Sequence, residues 1–268
     1  MAHNDNCLRL CTFNCRSLKG CLKEVNGLCD THDVIFLQEH WLLPQDLNIL
    51  ENIHEDFFGF GLSAVDTNSD ILIGRPFGGT AVLYRKSLVS AIKFIDSGSW
   101  RITACILYSN LGPVLCCNVY MPTDYGTADC RDEYTDICSK LSVLYADNDV
   151  AFLLVAGDFN CGVNSRFYHM FTQFCNDNRL ICSDHTRLKD TFTYCSDDGL
   201  RQSWIDHLVC SFPIDKLIYS IDVIADVICS DHKPLSVIFS NMVLIHNSNN
   251  NLQYATSDCH RLSTSYAD

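Results

Sequence analysis

Six short polar segments carry the residue types that could do chemistry: Asn14, Glu39, Tyr120, the run Gly157-Asp158-Phe159-Asn160, Asp206, and Ser230-Asp231-His232. Carboxylates set beside carboxamides are hard oxygen donors suited to Mg²⁺ or Mn²⁺, and a histidine near them can bind an anionic phosphate oxygen or move a proton. Each residue also has a local explanation. Asn14 and Asn160 suit turns, Asp158 suits a helix N-cap, Asp206 can accept from a backbone amide, and Tyr120 can fill a core with its polar tip at the edge. What unites them is position. Each lies at or near the end of a short apolar run, where a side chain is held by a strand yet faces a cleft.

Those runs are the elements that must position the chemistry. Apolar stretches rich in β-branched and aromatic residues predict strands over 7–13, 34–37, 79–84, 101–108, 114–120, 151–156, 191–194, 203–209, 217–224 and 235–239. Turn residues at 110–112 and 196–199 predict two hairpins, so mixed sheets are expected. Tyr134, Ile137, Cys138, Leu141, Leu144 and Tyr145 share one face of a helix, and Phe167, Met170, Phe171, Phe174 and Cys175 form a second such stripe. Along a strand, His40 and His207 would face away from their neighbours Glu39 and Asp206, and both read as structural.

Composition narrows the function classes. The 268 residues are 47% hydrophobic and 19% charged, as expected of a globular domain over 1–240, while the polar stretch 241–268 reads as a disordered tail. A net charge of −13 excludes a histone-like basic grip on nucleic acid. No apolar run reaches the roughly 18–20 residues of a membrane-spanning helix, so no membrane partner is expected. The N-terminus lacks a signal-peptide pattern, which predicts an intracellular protein, nuclear or cytoplasmic and not secreted. The 17 cysteines are odd in number and many sit inside apolar runs, so they read as reduced core filler. No Cys-x-x-Cys occurs, and with it goes the usual signature of structural zinc.

In order along the chain, Thr12-Phe13-Asn14, Leu37-Gln38-Glu39, Asn118-Val119-Tyr120-Met121-Pro122, Gly157-Asp158-Phe159-Asn160, Ser203-Trp204-Ile205-Asp206-His207 and Ser230-Asp231-His232 resemble the blocks of the endonuclease/exonuclease/phosphatase superfamily, the fold of DNase I and the apurinic endonucleases. A closer resemblance is to the endonuclease domains of LINE-type retrotransposons. It is carried by Leu37-Gln38-Glu39-His40-Trp41-Leu42, by the run from Gly74-Arg75-Pro76-Phe77-Gly78-Gly79 to Tyr84-Arg85, and by Ser203-Trp204-Ile205-Asp206-His207.

The resemblance implies a four-layer α/β/β/α sandwich with two mixed β-sheets, and a Mg²⁺- or Mn²⁺-dependent DNA endonuclease that hydrolyses a phosphodiester by in-line attack of water. In it, Glu39 would be the principal metal ligand, with Asn14 close by and Asp231 beside the metal or leaving group. Asp158 would orient and deprotonate the water, Asn160 would hold the water or a phosphate oxygen, Asp206 would fix His232 on the scissile phosphate, and Tyr120 would stabilise the oxyanion. DNA would be the partner, weakly held by an acidic protein. Basic groups at Arg16 with Lys19, Arg85-Lys86, and Arg187 with Lys189 could line a modest groove or be solvated surface. In retrotransposons of this type a reverse transcriptase domain follows the nuclease, so the resemblance implies that such a domain would be missing from this chain; a monomer is expected. Another phosphoesterase of the same fold, or a catalytically idle remnant, are the alternatives.

Overall fold

A computed structural model of the chain describes residues 7–66 and 74–245. Its strands are β1 (Cys7–Asn14), β2 (Val34–Gln38), β3 (Phe57–Leu62), β4 (Thr80–Arg85), β5 (Ile92–Ile95), β6 (Ile102–Ser109) and β7 (Gly112–Tyr120), then β8 (Phe152–Asp158), β9 (Leu180–Cys182), β10 (Tyr194–Cys195), β11 (Gln202–Ser203), β12 (Asp206–Ser211), β13 (Ile218–Val223) and β14 (Leu235–Ser240). The helices are α1 (Leu22–Thr31), α2 (Ala128–Asp147), α3 (Tyr168–Asp177), α4 (Ser183–Arg187) and α5 (Phe212–Asp215).

Two six-stranded sheets dominate, with strand orders β13-β14-β1-β2-β4-β3 and β5-β6-β7-β8-β12-β9. Both are mixed: β1 runs parallel to β2 and β7 parallel to β8, while the other neighbours are antiparallel. The β6–β7 hairpin turns at Asn110–Leu111, and the second expected hairpin is the short β10–β11 pair.

Side-chain alternation explains why the sheets stack. In β1, Leu8 and Leu10 point to a core shared with Leu154 and Ala156 of β8 and Leu208 of β12, whereas Cys11 and Phe13 point the other way, onto Val25 and Leu28 of α1. In β8, Leu153 and Val155 face Tyr134, Ile137 and Leu141 of α2 and Phe171 of α3. The result is the four-layer sandwich, helix on sheet on sheet on helix. Thr127 caps α2 through a side-chain bond from the Cys130 amide. The apolar stripes expected at 134–145 and 167–175 are the core faces of α2 and α3.

Six elements escape the sequence patterns, the short helices α4 and α5 among them. Helix α1 is short and carries Asn26 and Gly27 in its middle, β3 is interrupted by Gly59 and Gly61, and β5 and β9 have four and three residues. Of the stretch from Asn241 onward, residues 241–245 dock on the domain: Met242 is buried, Leu244 bridges to Ser109, and Ile245 donates to the Tyr108 carbonyl. Residues 246–268 lie outside the described residues. Among the described residues, no helix is long and apolar enough to cross a membrane.

The cysteines require a correction. Cys21, ahead of α1, and Cys229, in the loop before Ser230-Asp231-His232, form a disulfide with their Cα atoms 5.4 Å apart. They are separated by 208 residues, so no local spacing announces the pair. The core-filler reading describes many of the others well, among them Cys11, Cys105, Cys116, Cys117 and Cys210, all free and buried.

Candidate active site

The alternation that builds the core also builds the site. In β8, Leu154 and Ala156 face the opposing sheet, so Asp158, two residues on, faces it as well. By the same parity Asn14 follows Leu8 and Leu10, Tyr120 follows Val114 and Cys116, and Asp206 precedes Leu208 and Cys210. Register places them side by side: Asp158 lies opposite Tyr120 on one side and Asp206 on the other. Gly157 is obligatory in this row. Its φ is +151°, and a Cβ there would lie 2.0 Å from the Val119 carbonyl oxygen of β7.

Hydrogen bonds join the two sheets at this end. Asn14 Nδ2 donates to both Glu39 Oε1 and Asp158 Oδ2, at 2.9 Å each. The two carboxylates therefore flank one nitrogen, although they are far apart along the chain. Trp41 Nε1 donates to Glu39 Oε2 at 3.0 Å, and the Tyr120 hydroxyl also donates to Glu39. Asp206 Oδ2 pairs with His232 Nδ1 at 2.8 Å, and His232 Nε2 stands 3.8 Å from Asp158 Oδ2. Asn160 is fixed by its backbone bond to Asp158 Oδ1 and by Nδ2 donating to the Met121 carbonyl, both 2.8 Å. Asp231 stands at the rim, 3.2 Å from Arg16, and Ser230 Oγ donates to the Asn14 carbonyl. All eight residues singled out in the sequence thus meet at one end of the sandwich. Glu39, Trp41 and Asn160 hold left-handed φ values of 52°, 55° and 46°, a local concentration of backbone strain.

Electrostatics follow from burial. Desolvation pushes Asp158 up to about 7, with the Asp206 charge adding to the rise and His232 opposing it. Burial would lower the His232 pKa, but the Asp206 and Asp158 carboxylates overcome that and hold it at about 10, so the ring is an imidazolium at neutral pH. Burial and the Glu39 and Asp158 charges keep the Tyr120 phenol protonated far above its usual range. Asp206 Oδ1 is buried without a partner, and the ligand atoms of Asp158, Asp206 and His232 lie within 4.8 Å of one another.

Several supports carry only weak sequence signals. Gln38, beside Glu39, donates to Thr12 and Asn118, and Asn118 donates to the Leu37 and Ala81 carbonyls, tying one sheet to the other beneath the site. Both sit inside the recognised blocks. Thr193 Oγ1 receives the Ile205 and Asp206 amides, and the β10–β11 hairpin braces the His232 segment through the Cys195 amide on the Asp231 carbonyl. His40 turns from the cleft as expected, with Nε2 3.0 Å from the Leu62 carbonyl and Nδ1 accepting from the Leu42 amide; a Cβ on Gly79 would strike its ring at 2.5 Å.

The basic groups need revision. Arg85 is held by Asp33 and the Cys29 carbonyl at the opposite end of its sheet, and Arg187 is locked to Asp215. Lys19 pairs with Asp46. Arg16 reaches the cleft, bound to Asp197 and Asp231. On the Glu39 side, Arg75 stacks on Trp41, and Arg101 stacks on Trp100 and Tyr120.

The profile of the Endonuclease/Exonuclease/phosphatase family matches residues 11–232, from β1 to the site histidine. The chain belongs to this family. No curated protein matches it. Among solved structures, the fold is shared with an AP endonuclease from Leishmania major at a TM-score of 0.68 and 14% identity, covering 88% of each chain. It is shared with a 3′ phosphatase from Neisseria bound to a product DNA hairpin at a TM-score of 0.65 and 16% identity, over 87% of this chain and 99% of that one. The endonuclease domain of TRAS1, a telomere-specific non-LTR retrotransposon, is similar at a TM-score of 0.63 and 13% identity, over 88% and 99%. At such identities the likeness establishes the fold, and the chemistry of this family member must be argued from its own residues.

Proposed function

We propose that this protein is a divalent-metal-dependent phosphodiesterase acting on DNA, an endonuclease of the retrotransposon type. The observation that carries the reading is the buried Asp206–His232–Asp158 array, joined through Asn14 to Glu39 across the two sheets. The DNA and retrotransposon assignments are supported by the sequence blocks and by the likeness to the TRAS1 endonuclease domain.

The donor set fits a divalent cation. Four carboxylates, Glu39, Asp158, Asp206 and Asp231, converge where His232 and Arg16 are the positive partners, and Arg16 is shared with Asp197. Such an excess of negative charge in a cleft is relieved by Mg²⁺ or Mn²⁺. Glu39 would hold the ion, with Asp231 at the rim. Asn14 presents its amide nitrogen to Glu39 and accepts the Arg16 amide on its oxygen, so its use as an oxygen ligand requires the amide to turn over. When bound, the cation neutralises phosphate charge and polarises the scissile bond.

The remaining roles belong to the chain. Asp158, poised near neutrality, takes a proton from the attacking water. Asn160, anchored by its amide nitrogen, leaves its oxygen to orient that water. His232 donates from Nε2 to a non-bridging phosphate oxygen while Asp206 fixes the ring from Nδ1. Tyr120 donates its hydroxyl to the charge that develops in the transition state.

Nicking of supercoiled plasmid in a Mg²⁺ or Mn²⁺ titration tests the reading, with abasic duplex, RNA and a small phosphate ester as competing substrates. Wild type should nick plasmid and lose activity with chelator, and His232→Ala should be slower by roughly 10² to 10³ with an unchanged circular dichroism spectrum. Inactivity of folded wild type on plasmid would overturn the proposal, and preference for RNA or the small ester would reassign the substrate.

A further inference from the structure

Behind the catalytic row, on the helix-facing side of β12, lies a second cluster that the proposed mechanism does not use. Cys182, Asp184, His185 and His207 bring one sulfur, one carboxylate oxygen and two imidazole nitrogens within 4.8 Å of one another. The topology assembles them: Cys182 ends β9, Asp184 and His185 follow it into α4, and Val209 of β12 lies opposite Cys182 in the register, two residues beyond His207. Asp184 and His207 are fully buried.

We propose that Cys182, Asp184, His185 and His207 form a tetrahedral Zn²⁺ site. A thiolate, two imidazoles and one carboxylate are the donors zinc selects, whereas the catalytic cleft offers mainly hard oxygens. Zn–S and Zn–O bonds of about 2.3 and 2.0 Å at a tetrahedral angle separate sulfur from oxygen by about 3.5 Å. Cys182 Sγ and Asp184 Oδ1 are 3.4 Å apart.

His207 is already oriented for the task. Its Nε2 is 2.7 Å from the Cys161 carbonyl oxygen, which can only accept, so Nε2 carries a hydrogen and Nδ1 is the nitrogen turned to the cluster, 2.8 Å from Asp184 Oδ2. A backbone carbonyl holding the distal nitrogen is how metal-binding histidines are commonly fixed. The Leu208 amide donates to Asp184 Oδ1 and orients that carboxylate, and the His185 amide donates to the Cys182 sulfur. His185 Nε2 is buried with no partner, beside the ring of Trp204. The ion would replace the Cys182 thiol proton and the His207 Nδ1 proton, leaving the net charge of the cluster unchanged. The contrary sequence expectation rested on the absence of closely spaced cysteines. Here the fold gathers one cysteine and two histidines from β9, α4 and β12 instead.

The site would clamp β9 and α4 to β12 one residue from Asp206. Metal-stripped protein is titrated with Co²⁺ and Zn²⁺, in wild type, Cys182→Ser and His185→Gln. Wild type should develop tetrahedral Co²⁺ bands with thiolate charge transfer, Zn²⁺ should displace them at one equivalent, and Zn²⁺ should raise Tm. Cys182→Ser should lose the charge-transfer band and the Tm response, and His185→Gln should weaken both. The catalytic cluster of Asp158, Asp206 and His232 contains no sulfur and cannot give that band. No thiolate band in wild type, or an identical band in Cys182→Ser, would overturn the proposal and leave Asp184 and His207 as a buried ion pair only.

Discussion

Replacing Asp206 by Asn removes one charge from the face of His232 and almost no volume. In the wild type, burial works to lower the His232 pKa, and the Asp206 and Asp158 carboxylates hold it at about 10. With charge centres about 4 Å apart and an effective dielectric constant of about 20, one carboxylate is worth about 4 kcal/mol, or about 3 pH units. Without that charge the imidazole should titrate at roughly pH 7. The Asp206 charge also adds to the rise of Asp158 caused by burial, so Asp158 should ionise at lower pH in the variant. Both limbs of the rate profile should therefore move toward acid. Wild-type kcat/KM should climb as Asp158 ionises near 7 and decline as His232 loses its proton near 10. The variant should peak below neutrality and lose about tenfold per pH unit above roughly pH 7. Plasmid nicking across pH gives the profile, and the His232 imidazole resonances give the titration directly. A variant profile parallel to that of the wild type, or a ring that still titrates near 10, would refute this account.

The cation requirement should shift when Glu39 is altered: Glu39→Gln, and more mildly Trp41→Phe, which removes the indole donor to Glu39 Oε2, should need more Mg²⁺ for half-maximal nicking. Unchanged Mg²⁺ titrations would show that Glu39 does not hold the ion. His40 is buried and driven down to about 4 by desolvation. The unfolded chain then binds the extra proton between about pH 6.5 and 4, so stability should fall by roughly 3 kcal/mol as pH falls through that window and be unaffected by this group above it; a His40 resonance titrating above pH 6 is the contrary result. The Cys21–Cys229 bond closes a loop spanning 208 residues of separation, for which chain entropy predicts roughly 5 kcal/mol of stabilisation. Cys229→Ser should lower the denaturant midpoint markedly, and an unchanged midpoint under oxidising conditions would argue against the bond.

Much of the sandwich is written in local pattern. The apolar runs that become β2, β7 and β8 are buried on both faces, those of β1 and β14 alternate at least in part between a buried and a half-buried face, and the stripes of α2 and α3 have helical period, so each stretch carries its own instruction. The convergence of the candidate site is legible in part for the same reason. Asn14, Tyr120, Asp158 and Asp206 extend the alternation of their own strands by one polar step, and the ordered blocks carry the family likeness with them. Local pattern could not say which distant groups would become neighbours. Only the fold sets Trp41 on Glu39, commits Arg85 to Asp33 and Arg187 to Asp215, and closes Cys21 onto Cys229. It also gathers Cys182, Asp184, His185 and His207 on the helix-facing side of β12. Alternation and helical period fix which way a side chain faces; what it meets there depends on strand order, register and packing between elements far apart in the chain.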